Sequence, residues 1–124
     1  MTSAIRKSSF DPGGPIAGLT AGAAAAVAGV SLSAIQARPR CRRPVFRARQ
    51  LAIYLHHVAM GATVAACARQ FDRDRATIRL AIRRIEDLRE NRAFDCGAAR
   101  LEQAVATLHD MVLELLAEAK GAAR

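Results

Sequence analysis

The chain has 124 residues, with 19 Lys+Arg against 11 Asp+Glu and a formal net charge of +8, a length that fits one domain and excludes a multidomain machine. Hydrophobic residues make up 52% of it and aromatic ones only 4%, so a core is available, must be aliphatic, and excludes disorder throughout. The positive excess favours an anionic partner, nucleic acid ahead of an acidic membrane surface. No phosphate-binding Gly-x4-Gly-Lys-Ser/Thr loop, paired carboxylates, Ser/His/Asp set or metal cluster points to an enzyme, and no cofactor or small-molecule substrate is expected.

Residues 1–37 carry only Arg6, Lys7 and Asp11, and the stretch from Pro12 to Ala37 is uncharged and built of Ala, Gly and Ser with scattered Val, Leu and Ile. It is predicted to be a low-complexity arm, disordered or marginally helical around 19–36, which stays outside the core and is dispensable for binding. Export or a membrane span is the weaker reading. Alanine gains almost nothing in a bilayer, and Lys7 stands where a twin-arginine signal needs its second Arg.

Residues 38–46 form a predicted basic loop. Pro39 and Pro44 bracket Arg40, Arg42 and Arg43 and disfavour helix there. Residues 38–92 hold fourteen Arg against five acids, whereas residues 93–124 have three bases and five acids, so the middle third is the basic module.

Within 47–92 the period becomes helical. Leu51, Tyr54, Leu55 and Val58 mark a helix over about 47–60, closed by Gly61 in the left-handed position. Thr63 is placed to cap a second helix with Val64, Cys67, Ala68 and Phe71 inward. A third runs from Asp72–Asp74 to about Arg89, with Ile78, Ile82 and Ile85 inward and Arg75, Arg79 and Arg83 recurring every four residues away from them. Two helices joined by a short polar turn, the second basic on its free face, form the pattern of a helix-turn-helix. In that pattern Asp74, Arg75, Ala76 and Thr77 occupy the turn that meets base edges.

Cys41, Cys67 and Cys96 are odd in number and form no Cys-x-x-Cys pair, so no disulfide framework is indicated and a reducing cytoplasm is compatible. With His56, His57 and His109 they match no zinc spacing, and no metal is expected. Cys67 is expected in the core, and His56 and His57 late in a helix whose dipole favours them.

Four landmarks of residues 47–90 resemble the C-terminal DNA-binding domain of the bacterial replication initiator DnaA. Arg47-Ala48-Arg49-Gln50-Leu51-Ala52-Ile53-Tyr54-Leu55 is similar to that family's RPRQ-x-A-x-x-L opening, and Phe71 closes the second helix as it does there. Arg73-Asp74-Arg75-Ala76-Thr77-Ile78 is similar to RDHTTV, and Arg83-Arg84-Ile85-Glu86-Asp87-Leu88 to RKIE-x-L. The resemblance implies duplex DNA as partner, with Arg40, Arg42 and Arg43 on phosphates and the minor groove and the third helix giving specificity. By charge and resemblance together, the expected contacts are Arg40, Arg42, Arg43, Arg47, Arg73, Asp74, Arg75, Ala76, Thr77, Arg79 and Arg83. Two departures stand out. Two glycines before the family's RD are here the single Asp72, a shorter turn expected to lose left-handed flexibility, and Arg75-Ala76 replace the base-reading His-Thr. The family's usual box therefore does not carry over, and with no AAA+ ATPase region the expectation is a binding module without ATPase activity.

Phe94 to Gly97 break the pattern, and residues 98–119 then form a predicted amphipathic helix with Leu101, Ala104, Leu108, Met111 and Leu115 in heptad spacing. Within segment 93–124 it serves either as a core cover or as a homodimer interface. The expected fold is all-α, a helix-turn-helix of the DnaA C-terminal type with this added helix. The expected function is sequence-specific duplex binding by a cytoplasmic, nucleoid-associated regulator of transcription or of a replication origin. The alternative is a protein–protein interaction module using the C-terminal helix.

Overall fold

The computed structural model describes residues 18–36 and 43–122. Among these residues the chain is all-α, with no strand: α1 (Leu19–Ala28), α2 (Leu32–Gln36), α3 (Arg43–Val58), α4 (Val64–Phe71), α5 (Arg75–Leu88) and α6 (Arg92–Ala122). No helix among them is long and apolar enough to cross a membrane.

α3 is the central helix, packed against all five others. It opens at Arg43, inside the stretch expected to be a loop, because Pro44 falls in the first turn, where its missing N–H costs no intrahelical bond. Ala48, Ala52, Ile53, Tyr54 and Leu55 are buried along it. Beyond Val58 the chain turns through Gly61, which takes φ 74°, a conformation a side chain would oppose. Against α3 lie Cys67 and Phe71 of α4 and Ile78, Ala81, Ile82 and Ile85 of α5, so the apolar faces predicted for these helices meet in one core, except that Leu55 packs in a second cluster with Met60 and Val105 and Val58, expected inward, is exposed.

The Ala-rich segment does not stand apart from that core. Thr20, Ala21, Ala24 and Ala25 of α1 are buried in it, and α1 lies along α3. The only large side chain that α1 packs inward is Leu19 at its start, against the cluster of Leu55, Met60 and Val105. Elsewhere alanine faces meet at close range, and Thr20 Oγ1 lies 2.7 Å from Nδ1 of the fully buried His56. α1 stops at Gly29, whose φ of 70° closes the helix in the left-handed position. α2 follows, and the buried Arg49 of α3 donates to its carbonyls, Nε to Ile35 O at 2.6 Å and Nη2 to Ala34 O at 3.0 Å. One expectation is thereby corrected: residues 19–36 belong to the domain. His56 and His57 lie in the last turn of α3 as expected, and His56 is fully buried there.

The break expected at Phe94–Gly97 is also absent. Asn91 Oδ1 accepts the Phe94 N–H at 3.0 Å and starts α6 there. Gly97 continues the helix, at a cost of about 1 kcal/mol that packing on both sides of it offsets. Ala98, Val105 and His109 are buried, with Val105 against Leu55 and Met60. The α5–α6 corner is clamped by Arg89, whose Nε donates to Asp95 at 2.6 Å and whose Nη1 donates to Tyr54 Oη at 2.8 Å and to Glu102. These partners hold the guanidinium charged, its pKa raised first by the Asp95 hydrogen bond, while burial raises that of Tyr54.

Candidate nucleic-acid interface

Three residues, Asp72, Arg73 and Asp74, join α4 to α5, and each has a local backbone task. At the start of α4, Thr63 Oγ1 accepts the Ala66 N–H at 3.0 Å as its cap. At its end Asp72 adopts φ 54°, with its N–H on Ala68 O. The left-handed conformation, most easily taken by glycine, is here adopted by an aspartate, whose short polar side chain tolerates it. Arg73 folds its guanidinium back on the same turn, donating from Nη1 to Phe71 O at 2.9 Å and Asp72 O at 3.0 Å. Asp74 caps α5, its Oδ1 accepting the Thr77 N–H at 2.8 Å. Hydrogen bonds from the Thr77 side chain and backbone hold its carboxyl below the usual range, so the cap is anionic at the positive helix end.

The caps fix which residues the first turn of α5 presents. Ile78, Ala81, Ile82 and Ile85 point inward, and Arg75, Ala76, Thr77, Arg79, Arg83 and Arg84 are all exposed. Steps of four residues advance 400°, so Arg75, Arg79 and Arg83 lie along one edge with a drift of about 40° each, and Arg84 lies on the other edge. Between Arg75 and Arg84 the helix has four arginines and no acid, and Glu86 and Asp87 come only in its last turn. Arg47 adds a fifth exposed arginine from α3, where it shares a groove of about 640 Å³ with Phe46, Gln50, Arg84, Asp87 and Leu88. Among the described residues none of these five arginines has a side-chain hydrogen bond or ion pair. Their donors are open to an anion or to base edges.

Of the expected contacts, Arg47, Arg75, Ala76, Thr77, Arg79 and Arg83 are all exposed, with Arg75, Arg79 and Arg83 along one edge of α5 and Arg47 beside Arg84 at the other. The polar groups of Arg73 and Asp74 serve the turn and the cap. Arg43 is the first residue of α3 rather than a loop residue, and Arg40 and Arg42 lie outside the described residues. Sequence reasoning passed over Arg84, because a search for basic residues every four positions follows one edge only. It also passed over Leu80 and Phe46, exposed apolar side chains that line one groove between α3 and α5.

Burial pushes the His56 imidazole down to about 4 and the Cys67 thiol up to about 12, so both are neutral and neither serves as a nucleophile or cationic acid near neutral pH. Among the described residues no group of three His, Cys, Asp or Glu side chains is placed to hold a metal. Comparison with protein-family models, with curated proteins and with solved structures finds no match to this chain.

Proposed function

We propose that the chain is a sequence-specific double-stranded DNA-binding protein in which α4, the Asp72–Asp74 turn and α5 act as a helix-turn-helix, serving in regulation of transcription or of a replication origin. The observation that carries this reading is the unpaired set Arg47, Arg75, Arg79, Arg83 and Arg84, exposed around a helix whose first ten residues contain no acid. A structural arginine in this protein finds carbonyls or carboxylates, as Arg49, Arg73 and Arg89 do. Arg47, Arg75, Arg79, Arg83 and Arg84 have none among the described residues, and unlike the equally exposed Arg69, Arg92 and Arg100 they lie on or beside α5, which suits a partner that brings its own negative charge.

The division of labour follows from position. The first turn of α5 enters the major groove, Arg75 pairs with guanine, and the methyl groups of Ala76 and Thr77 meet thymine. Arg79, Arg83, Arg84 and Arg47 lie farther along and to the sides, where the phosphates run, and supply affinity without sequence. The resemblance of residues 47–90 to the DnaA C-terminal domain supports the same docking, with Arg75-Ala76 giving a different target.

Selection of bound sequences from a random duplex library tests the proposal. One enriched motif is expected, and Arg75→Ala should lower preference for it by about 1–3 kcal/mol while Arg84→Ala weakens all duplexes together. Selection that enriches nothing, or Arg75→Ala with an unchanged motif, refutes the assignment of α5.

A further inference from the structure

α6 covers the core with one face and leaves a second apolar face open. Gly97, Leu101, Ala104, Leu108, Met111 and Leu115 alternate spacings of four and three residues, a period of 3.5 that keeps them on one side of the helix. The two ends of this seam differ in shape. At its start the small residues Gly97 and Ala104 line an apolar groove of about 440 Å³ walled by Val27, Leu51 and Phe94, and a methyl group at Gly97 would meet nothing within 4 Å. At its end Leu108, Met111 and Leu115 protrude, 45%, 51% and 60% exposed.

The geometry points to a second copy of this chain as the occupant, with the two α6 helices antiparallel so that the protruding end of each fills the groove of the other. With Leu115 seated over the partner's Gly97, the same register sets Leu108 against the partner's Ala104 and Met111 against the partner's Leu101. Most layers then join a large residue to a small one, and the contact is self-complementary as a two-fold interface requires. A parallel in-register pair would face Gly97 with Gly97 and Ala104 with Ala104, leaving voids.

Charge selects the same orientation. Arg100 and Glu114 each precede a seam leucine, are exposed, and have no ion pair within the described residues of their own chain. Antiparallel pairing brings Arg100 of each copy beside Glu114 of the other. In a parallel pair they would be about 21 Å apart along the axis. The C-terminal part of α6 carries Asp110, Glu114 and Glu118 against Lys120, so its acidic flank meets the side of the partner that carries Arg92 and Arg100. No seam residue belongs to the basic face of α5, and the pairing stands whether or not the chain binds DNA.

Sedimentation equilibrium of the full chain tests this. The wild-type chain is expected to dimerise at micromolar concentration. Leu108→Glu or Leu115→Glu should weaken the dimer by at least about 100-fold with helix content unchanged, since each residue is half exposed in the monomer and its charge would be buried only on pairing. Arg100→Glu and Glu114→Arg alone should each weaken it about tenfold at low salt, and the double exchange should restore it. A wild-type chain still monomeric at about 100 µM, a Leu108→Glu variant that dimerises like wild type, or a double exchange without rescue would each overturn the proposal.

Discussion

Replacing Thr20 by Val tests the docking of α1, the part of the fold that the sequence least suggests. Thr20 is fully buried, and its hydroxyl lies 2.7 Å from Nδ1 of His56 at the centre of the helix packing. The His56 ring stands edge-on to Phe71, centroids 5.5 Å apart at 88°, so one side chain ties α1 to both α3 and α4. Valine keeps the shape of threonine and removes only the hydroxyl, leaving a buried imidazole nitrogen without that partner, a loss of about 1–3 kcal/mol. In a domain of this size that lowers Tm by about 5–15 °C. Urea unfolding followed by far-UV circular dichroism should show a lower midpoint with an unchanged slope, the signature of lost stability without a change in exposed surface. A midpoint equal to wild type would refute the reasoning, since an undocked α1 would not notice the change.

Acid should destabilise the protein through the same histidine: with His56 at about 4 when folded against 6.5 unfolded, the unfolded chain takes up the proton first as pH falls. Its contribution is full above pH 6.5 and falls by up to about 3 kcal/mol towards pH 4; urea titrations across that window should show the slope, and His56→Gln should flatten it. Deleting residues 1–28 should cost about 5 kcal/mol, since three buried alanine methyls contribute about 0.8 kcal/mol each and the surfaces they cover on α3 and α6 as much again; a truncated chain with wild-type Tm would show that the segment is dispensable after all. Arg89→Met should lower stability by about 1–2 kcal/mol in calorimetry, because Asp95 and Glu102 lose their shared cation at a site only partly screened by water.

What was legible in the sequence was local chemistry. Thr63, Asp74 and Gly61 announce helix ends because a hydroxyl, a carboxylate and a residue without a side chain act on backbone within a few positions, and all three perform those tasks. Cys67 and the isoleucines of α5 are buried as their spacing requires. Packing between distant segments was not legible. α1 has no apolar stripe, since nearly every residue in it is small, and its place appears only when it meets the equally small Ala48 and Ala52 in the same core. Gly97 suggested a break because nothing nearby reveals that a 31-residue helix passes through it. Charge counting had the same limit. Arg49, Arg73 and Arg89 add to the basic total of residues 38–92 but spend their donors on the protein's own oxygens, Arg73 within its own turn and Arg49 and Arg89 on other helices, where only the packed structure separates them from Arg75, Arg79, Arg83 and Arg84.

The salt dependence of binding to a selected duplex, measured by fluorescence anisotropy, tests whether the exposed arginines hold DNA. Five exposed arginines that meet phosphates or base edges displace counterions on binding, and at about 0.9 ions per neutralised phosphate the slope of log K against log salt should be about −4 or steeper. Replacing Arg79, Arg83 and Arg84 together by alanine should reduce the magnitude of that slope by about three. The absence of duplex binding at low salt, or binding whose affinity is flat across the titration, would contradict the account.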